Sequence, residues 1–99
     1  MDAADDPIVT EHRAQITACD LDILAAVNRR IELVSSLHRH KHAQGYPTLD
    51  PGRERLLIER LEEANSGPLS DEPLRRLYAL LLELCTSEAA RMNNEQASA

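Results

Sequence analysis

The chain has 99 residues, with 11 Lys and Arg against 17 Asp and Glu and a formal net charge of −6. Hydrophobic residues make up 42%, yet there is no Trp or Phe and there are only two Tyr. This length allows one domain, and an interior of Leu, Ile, Val and Ala favours packed helices over a sheet. The acidic balance argues against a general nucleic-acid surface. No Gly-rich phosphate loop, nucleophile elbow or metal motif is present.

The first predicted helix runs from Thr10 to Gln44 and contains no Pro or Gly. Its apolar residues recur at helical spacing and, at ~100° per residue, point within about 40° of one direction. They are Ile16, Ile23, Val27, Val34 and Leu37. Four charged residues lie inside this stripe, namely Arg13, Asp20, Arg30 and Lys41, whereas Asp22, Arg29, Glu32, Arg39 and His40 fall on the solvent side. The acidic segment before the helix, Met1 to Val9, is predicted to be a frayed arm.

Two shorter helices follow. Gly45 and Tyr46-Pro47 end the first helix. Asp50 is a good N-cap and Pro51 suits the first helical position of the second, which runs to about Asn65. Ser70 can cap the third helix, whose inward stripe is Leu74, Leu77, Leu81, Leu84, Cys85 and Met92, with Glu88 inside it. Asn93 to Ala99 read as a polar tail. The predicted fold is therefore all-α, a single domain over residues 1–99, ordered from roughly 9 to 92 and built from one long and two shorter helices.

The length of the first helix predicts a dimer. At 1.5 Å per residue it would be about 50 Å long, whereas a domain of this size has a radius of gyration near 13 Å. The shorter helices, at roughly 15 and 22 residues, cannot cover its apolar stripe. Pairing two long helices across a twofold axis solves the problem and predicts an intertwined helical homodimer. The alternative is a break near Ser35-Ser36, which would give a four-helix monomer.

Cations on an inward stripe are costly unless an anion meets them. Arg30 and Lys41 are about three turns apart and differ by only ~20° around the axis, so both can line one cavity. Arg13 is turned away by roughly 100°, and we expect it to close the cavity from the partner chain. Arg53 would complete the set and predicts a small dicarboxylate ligand. The alternative is a set of buried salt bridges to Asp20, Glu54 and Glu88.

The joint spacing of these residues resembles the all-helical chorismate mutases. The matching pattern is Arg13-x2-Ile16-x3-Asp20, then Ile23-Leu24, Arg30-x-Glu32-Leu33, Lys41 and Asp50-x2-Arg53-Glu54. The resemblance covers roughly residues 9 to 92. It implies an intertwined dimer of three-helix chains that rearranges chorismate to prephenate by a [3,3] shift, without a metal, cofactor or covalent intermediate.

The resemblance also implies residue roles. Arg30 and Arg53 would hold the two substrate carboxylates, helped by Arg13 from the partner chain, and Lys41 would donate to the ether oxygen. Asp50 and Glu54 would contact the substrate hydroxyl region. Asp20 would position the arginines or be a plain salt-bridge partner.

The third helix departs from the family pattern. Typical members carry a Ser and, four residues later, a Gln that donates a second hydrogen bond to the ether oxygen. Those positions fall on Cys85, which would then contact substrate, and on Ala89, which cannot donate. Glu88 could replace the Gln as a catalytic donor if it were protonated. The alternative is that Glu88 pairs with a neighbouring cation or lies at the dimer surface.

Other interpretations stay open. The substrate could be isochorismate, as in a pyruvate-lyase, or 4-amino-4-deoxychorismate, or the chain could be a non-catalytic helical dimer module. Nothing in the sequence bears on activation by an upstream shikimate-pathway enzyme.

Cys19 and Cys85 have no metal-ligand spacing and are interpreted as small buried hydrophobic residues. No apolar run approaches the ~20 residues that span a bilayer and no signal peptide is evident, so we expect a cytoplasmic protein.

Overall fold

Three α-helices make up most of the described part of the chain. The computed structural model describes residues 2–98, in which a short 3-10 helix, Ala3–Asp5, precedes α1 (Pro7–Gln44), α2 (Pro51–Ala64) and α3 (Asp71–Ser98). No strand is present in the described residues. The predicted all-α chain of one long and two shorter helices is confirmed. Met1 and Ala99, which the predicted domain includes, lie outside the described residues.

The start of α1 corrects the predicted N-terminal arm. The helix begins at Pro7, ahead of the expected Thr10. Asp6 Oδ1 accepts a 2.9 Å hydrogen bond from the Ile8 backbone N–H. Asp50 Oδ1 accepts a similar 3.0 Å bond from the Arg53 N–H at the start of α2. Both helices thus begin at an Asp-Pro pair, in which Asp satisfies a free N–H group and Pro needs no acceptor.

The end of α1 follows the sequence signals. Gly45 adopts a φ of +72°, a left-handed conformation in which a side chain would be strained. Its N–H bonds the His42 carbonyl at 3.2 Å, and the Tyr46 N–H bonds the Lys41 carbonyl at 2.9 Å. These are the two hydrogen bonds of a Schellman motif. The helix is unbroken at Ser35-Ser36, so the alternative four-helix chain is not observed.

The chain divides into two compact units, Met1–Arg30 and Ile31–Ala99. In the first unit the predicted inward stripe of α1 is open to solvent, with Ile16 60% and Ile23 55% exposed. Cys19 is exposed as well, so its interpretation as a buried residue is wrong for the single chain. The solvent-side charges of α1 are exposed as predicted.

The second unit contains the last turns of α1 together with α2 and α3. Among its described residues few are buried: Leu74, Cys85, Ala89 and the polar Ser35. Leu77 and Leu84, which the helical pattern places inward, are exposed. A core this small buries little apolar surface, and burial of such surface is the main driving force of folding.

Polar contacts extend α3 beyond its predicted end. Ser35 Oγ donates to Asn93 Oδ1 at 2.8 Å, and Asn93 Nδ2 donates back to the Ser35 carbonyl at 3.3 Å. Arg39 Nη1 donates to Gln96 Oε1 at 2.6 Å. The segment from Asn93 to Ser98, predicted to be a tail, is therefore helical and bonded to α1. Within residues 2–98 no helix combines the length and the hydropathy needed to cross a membrane.

Candidate active site

Lys41, the one lysine of the sequence, lies in the last turn of α1 and is half-buried. Its ammonium donates a 3.2 Å hydrogen bond to the Thr48 carbonyl. The Schellman turn reverses the chain after α1, which brings the loop back past the ammonium. Thr48 comes two residues before the Asp50 cap of α2, so Lys41 is held beside the entry to the second helix.

The charge of Lys41 reaches its neighbour on the same helix. Partial burial of His38 lowers its pKa below the ordinary value of 6.5, and the Lys41 ammonium lowers the pKa further. Both causes disfavour the imidazolium. At neutral pH the ammonium therefore has a neutral imidazole beside it.

Asp50 and Arg53 meet at the N-terminus of α2. Both line a shallow cavity of about 500 Å³, together with Gly52, Leu56 and Glu59. The first N–H groups of a helix and its dipole favour an anion at this end, and here the Asp50 carboxylate is that anion, since it accepts the Arg53 N–H. The Arg53 side chain is exposed, so its guanidinium can take an anionic partner without breaking an existing ion pair.

Glu54 lies on a different face of α2 from Arg53. It lines a cavity of about 660 Å³ between α2 and α3, with Leu49, Ile58, Leu82 and Thr86 among its neighbours. The structure thus brings Asp50 and Arg53 into one cavity and places Glu54 in the adjacent one.

The third-helix positions differ in accessibility. Cys85 and Ala89 have no exposed surface, so the thiol offers no accessible face to a ligand in this structure. Glu88 accepts a 2.6 Å hydrogen bond from Arg91 Nε. Of the two roles considered for Glu88, the structure shows the pairing with a neighbouring cation.

The candidate cations are not used in internal ion pairs. Among residues 2–98 the ion pairs are Arg75–Glu62, Arg91–Glu88 and Arg91–Glu95. Lys41 and Arg53 belong to none of them, and neither do Arg13 and Arg30 on the first unit. Arg13 is exposed and Arg30 half-buried. The alternative in which these four cations form salt bridges within the chain is therefore not observed among the described residues.

Sequence reasoning missed the group that holds Lys41. The acceptor is the main-chain carbonyl of Thr48. Because every residue has such a carbonyl, the residue type does not indicate the contact. Only the short loop between Gly45 and Asp50, which forces the chain to return past the helix end, hints at such a contact.

Comparison with known proteins gives these residues a family. The family model of chorismate mutase type II matches residues 12–89. The chain is 34% identical over 89 residues to a 4-amino-4-deoxychorismate mutase of Streptomyces venezuelae, which covers 88% of this chain and 86% of the relative. A chorismate mutase (form II) structure from Thermus thermophilus superposes with a TM-score of 0.80 at 26% identity, covering 84% of this chain and 94% of that one.

A second curated relative is much longer. A bifunctional chorismate mutase/prephenate dehydratase of Neisseria gonorrhoeae is 31% identical over 85 residues, or 81% of this chain, but the chain spans only 22% of its length. The chain belongs to the chorismate mutase type II family, and the resemblance found in the sequence is confirmed. The protein is accordingly an isomerase.

Proposed function

We propose that the protein rearranges chorismate to prephenate in a cofactor-free cationic pocket shared by two chains. The observation that carries the proposal is that Lys41 and Arg53, two cations at opposite ends of one loop in a chain of this family, belong to none of the ion pairs of the described residues. A dianionic substrate supplies the negative charge that the described residues do not.

The chemistry needs positioning and charge stabilisation rather than a nucleophile. Arg30 and Arg53 hold the two carboxylates, which keeps the enolpyruvyl arm over the ring in a reactive conformation. Lys41 donates to the ether oxygen, where negative charge develops as the C–O bond breaks. Asp50 and Glu54 contact the hydroxyl region of the ring. Release of the Lys41 ammonium from the Thr48 carbonyl accompanies substrate binding.

A homodimer supplies the rest of the pocket. The exposed apolar residues of α1 include Ile16 and Ile23, and the groove between α2 and α3 presents Ile58 and Leu82. Two copies of the chain can bury both surfaces against each other. Because a twofold axis makes the two chains equivalent, this contact forms twice in the dimer. In this arrangement Arg13 comes from the partner chain.

The third helix contributes less than in typical members. Ala89 cannot donate a hydrogen bond, and the thiol of Cys85 packs without exposed surface. Glu88 as a donor stays a prediction, and its ion pair with Arg91 requires the ionised carboxylate, which cannot donate. Activity that falls as pH rises would favour the donor role, whereas a flat profile would favour the ion pair.

One observation favours a second candidate substrate. The Streptomyces venezuelae relative, a 4-amino-4-deoxychorismate mutase, matches over most of both chains. That substrate carries an amino group where chorismate has a hydroxyl. The carboxylates of Asp50 and Glu54 could accept hydrogen bonds from either group.

Product identification tests the proposal. Purified protein is incubated separately with chorismate and with 4-amino-4-deoxychorismate, and products are identified by mass spectrometry. We expect prephenate from chorismate, loss of at least about a hundredfold in kcat/KM for Arg53→Ala, and near-normal turnover for Arg60→Ala, an exposed arginine of the same helix. Turnover of the amino substrate alone would favour the second candidate. Turnover of neither would overturn the proposal and leave isochorismate as the substrate or a non-catalytic helical dimer module.

A further inference from the structure

The last turns of α1 and α3 line an open surface cavity separate from the candidate active site. Its volume is about 640 Å³, within the range of small-molecule sites. His38, Arg39 and His42 line it from α1, Asn93 and Gln96 from α3, and Thr48 from the loop. None of the lining residues is one of the candidate substrate-binding or catalytic residues.

The lining residues favour an anion. The described residues of the wall provide a guanidinium, two imidazoles and three side-chain amides, and no carboxylate. All of these groups can offer N–H donors. On a chain whose net charge is −6, a wall with this composition is a local exception, and an oxyanion is the ligand it suits best.

Arg39 is held in place by neutral groups. Its Nη1 donates to Gln96 Oε1 at 2.6 Å and its Nη2 to Ser36 Oγ at 3.2 Å. It belongs to none of the ion pairs of the described residues. Two of the five N–H groups of an arginine are thus used for orientation, while the positive charge has no carboxylate partner. A guanidinium oriented in this way loses little side-chain entropy when it binds an oxyanion.

The cavity touches the surroundings of Lys41 at two points. Thr48 lines the cavity, and its carbonyl accepts the Lys41 hydrogen bond. His38 lines the cavity as well, and the charge of Lys41 acts on its imidazole. An anion bound here would lie near the Lys41 ammonium and would oppose its field.

We propose that this cavity is a second binding site, for the carboxylate or phosphate group of a small-molecule effector, and that its occupancy weakens the action of Lys41. The binding half of the proposal stands on the cavity alone. The effector half rests on the proposed function, because it assumes that Lys41 stabilises the developing charge on the ether oxygen.

Binding is tested by NMR on protein labelled with ¹⁵N at histidine. The probes are inorganic phosphate, benzoate and the neutral amide benzamide, at constant pH and ionic strength. We expect saturable shifts of the His38 and His42 ring resonances with phosphate or benzoate, and none with benzamide. Whichever anion binds more tightly identifies the oxyanion group. No saturable shift with either anion would overturn the proposal.

Three variants show where the anion binds. Arg39→Gln should weaken binding at least tenfold, whereas Arg76→Gln, an exposed arginine of α3, should not change it. Arg53→Ala, which disables the candidate active site, should also leave binding unchanged. Shifts that survive Arg39→Gln or vanish in Arg53→Ala would contradict the proposal. Should Arg39→Gln lose its helical circular dichroism, His42→Asn replaces it and should weaken binding.

The effect of the bound anion on catalysis is measured separately, by enzyme kinetics. The better-binding anion should lower kcat for chorismate in the wild type and in Arg76→Gln but not in Arg39→Gln. A rise in KM with unchanged kcat would contradict it, because that pattern indicates competition at the substrate site. Anion binding without any chorismate turnover would uphold the cavity and refute the proposed function, so the two failures can be distinguished.

Discussion

The Lys41 ammonium and the Thr48 carbonyl are joined by a 3.2 Å hydrogen bond. This contact links the end of α1 to the loop that leads into α2, where Asp50 caps the helix through the Arg53 N–H. An ammonium that bonds a neutral carbonyl has exchanged water for one acceptor and has two N–H groups left. In the proposed function, a substrate oxygen replaces that carbonyl as the partner of the Lys41 ammonium.

Removal of the Lys41 charge should slow the chemical step. For Lys41→Met we expect kcat for chorismate to fall about 10²–10³-fold with KM changed much less, because the lost interaction forms with charge that develops in the transition state. Lys41→Arg keeps the positive charge but changes its geometry, so its kcat should lie between those of the wild type and Lys41→Met. Initial rates of chorismate loss measure both. An unchanged kcat in Lys41→Met would remove Lys41 from the ether-oxygen role.

Adjacent arginines of α1 provide a matched pair. Arg30 is half-buried and Arg29 is exposed. Arg30→Ala should lower kcat/KM by about 10² or more, because a charge-assisted contact to a substrate carboxylate is lost. Arg29→Ala should stay within about twofold of wild type. Circular dichroism should show equal helicity in both, and equal activity in the two variants would contradict the assignment.

Stability should depend on Ser35 and much less on Ser36. Ser35 is buried and exchanges two hydrogen bonds with Asn93. Ser35→Ala removes one of them and leaves the Asn93 side chain short of a partner, which should cost about 1–2 kcal/mol of unfolding free energy. Ser36 is exposed, and Ser36→Ala should cost less than about 0.5 kcal/mol. Urea unfolding at one protein concentration compares them. Equal costs would show that the Ser35–Asn93 pair does not support the fold.

The lowered pKa of His38 makes a contribution to stability that depends on pH. Burial and the Lys41 charge disfavour its protonation in the folded chain, whereas the unfolded chain binds the proton near the ordinary value of 6.5. The contribution of His38 to the free energy of unfolding is therefore complete above about pH 6.5. It declines as the pH falls below that value. Between about pH 7.5 and about pH 5.5 the wild type should lose more unfolding free energy than His38→Gln. His40→Gln, on the exposed side, serves as the control and should behave like the wild type. An equal loss in wild type and His38→Gln would contradict this account.

Local signals in the sequence located much of the fold. Gly45 ends α1 through its left-handed backbone conformation. Asp50-Pro51 begin α2 through the cap that Asp50 provides. Asp6-Pro7 is the same signal and begins α1 in the same way, but the acidic residues around it suggested an arm. The end of α3 was beyond such reasoning, since Asn93 and Gln96 are stabilised by polar partners some 57 residues away, which apolar periodicity does not reveal.

For the candidate site, the sequence names residues whose roles stay predictions, and it does not indicate the contacts that hold them. The inward stripe of α1 pointed to Lys41 because burying an unpaired charge is costly, and Arg53 was added as a further cation at the start of α2. The contact to the Thr48 carbonyl and the burial of Cys85 depend on how the loop and α3 pack against α1. Local sequence patterns do not indicate this packing. The homodimer, the contribution of Arg13 from a partner, the absence of a cofactor and a cytoplasmic location stay predictions.

A shared pocket is tested most directly by mixing two inactive variants, Arg13→Ala and Arg53→Ala, after denaturation and refolding together. If each pocket takes Arg13 from one chain and Arg53 from the other, a mixed dimer contains one intact pocket and one doubly altered pocket. Random pairing then restores about a quarter of the wild-type activity on chorismate. Each variant refolded alone should stay inactive. A mixture no more active than its two components would contradict the account, because it would show that both arginines serve one pocket from the same chain or serve none.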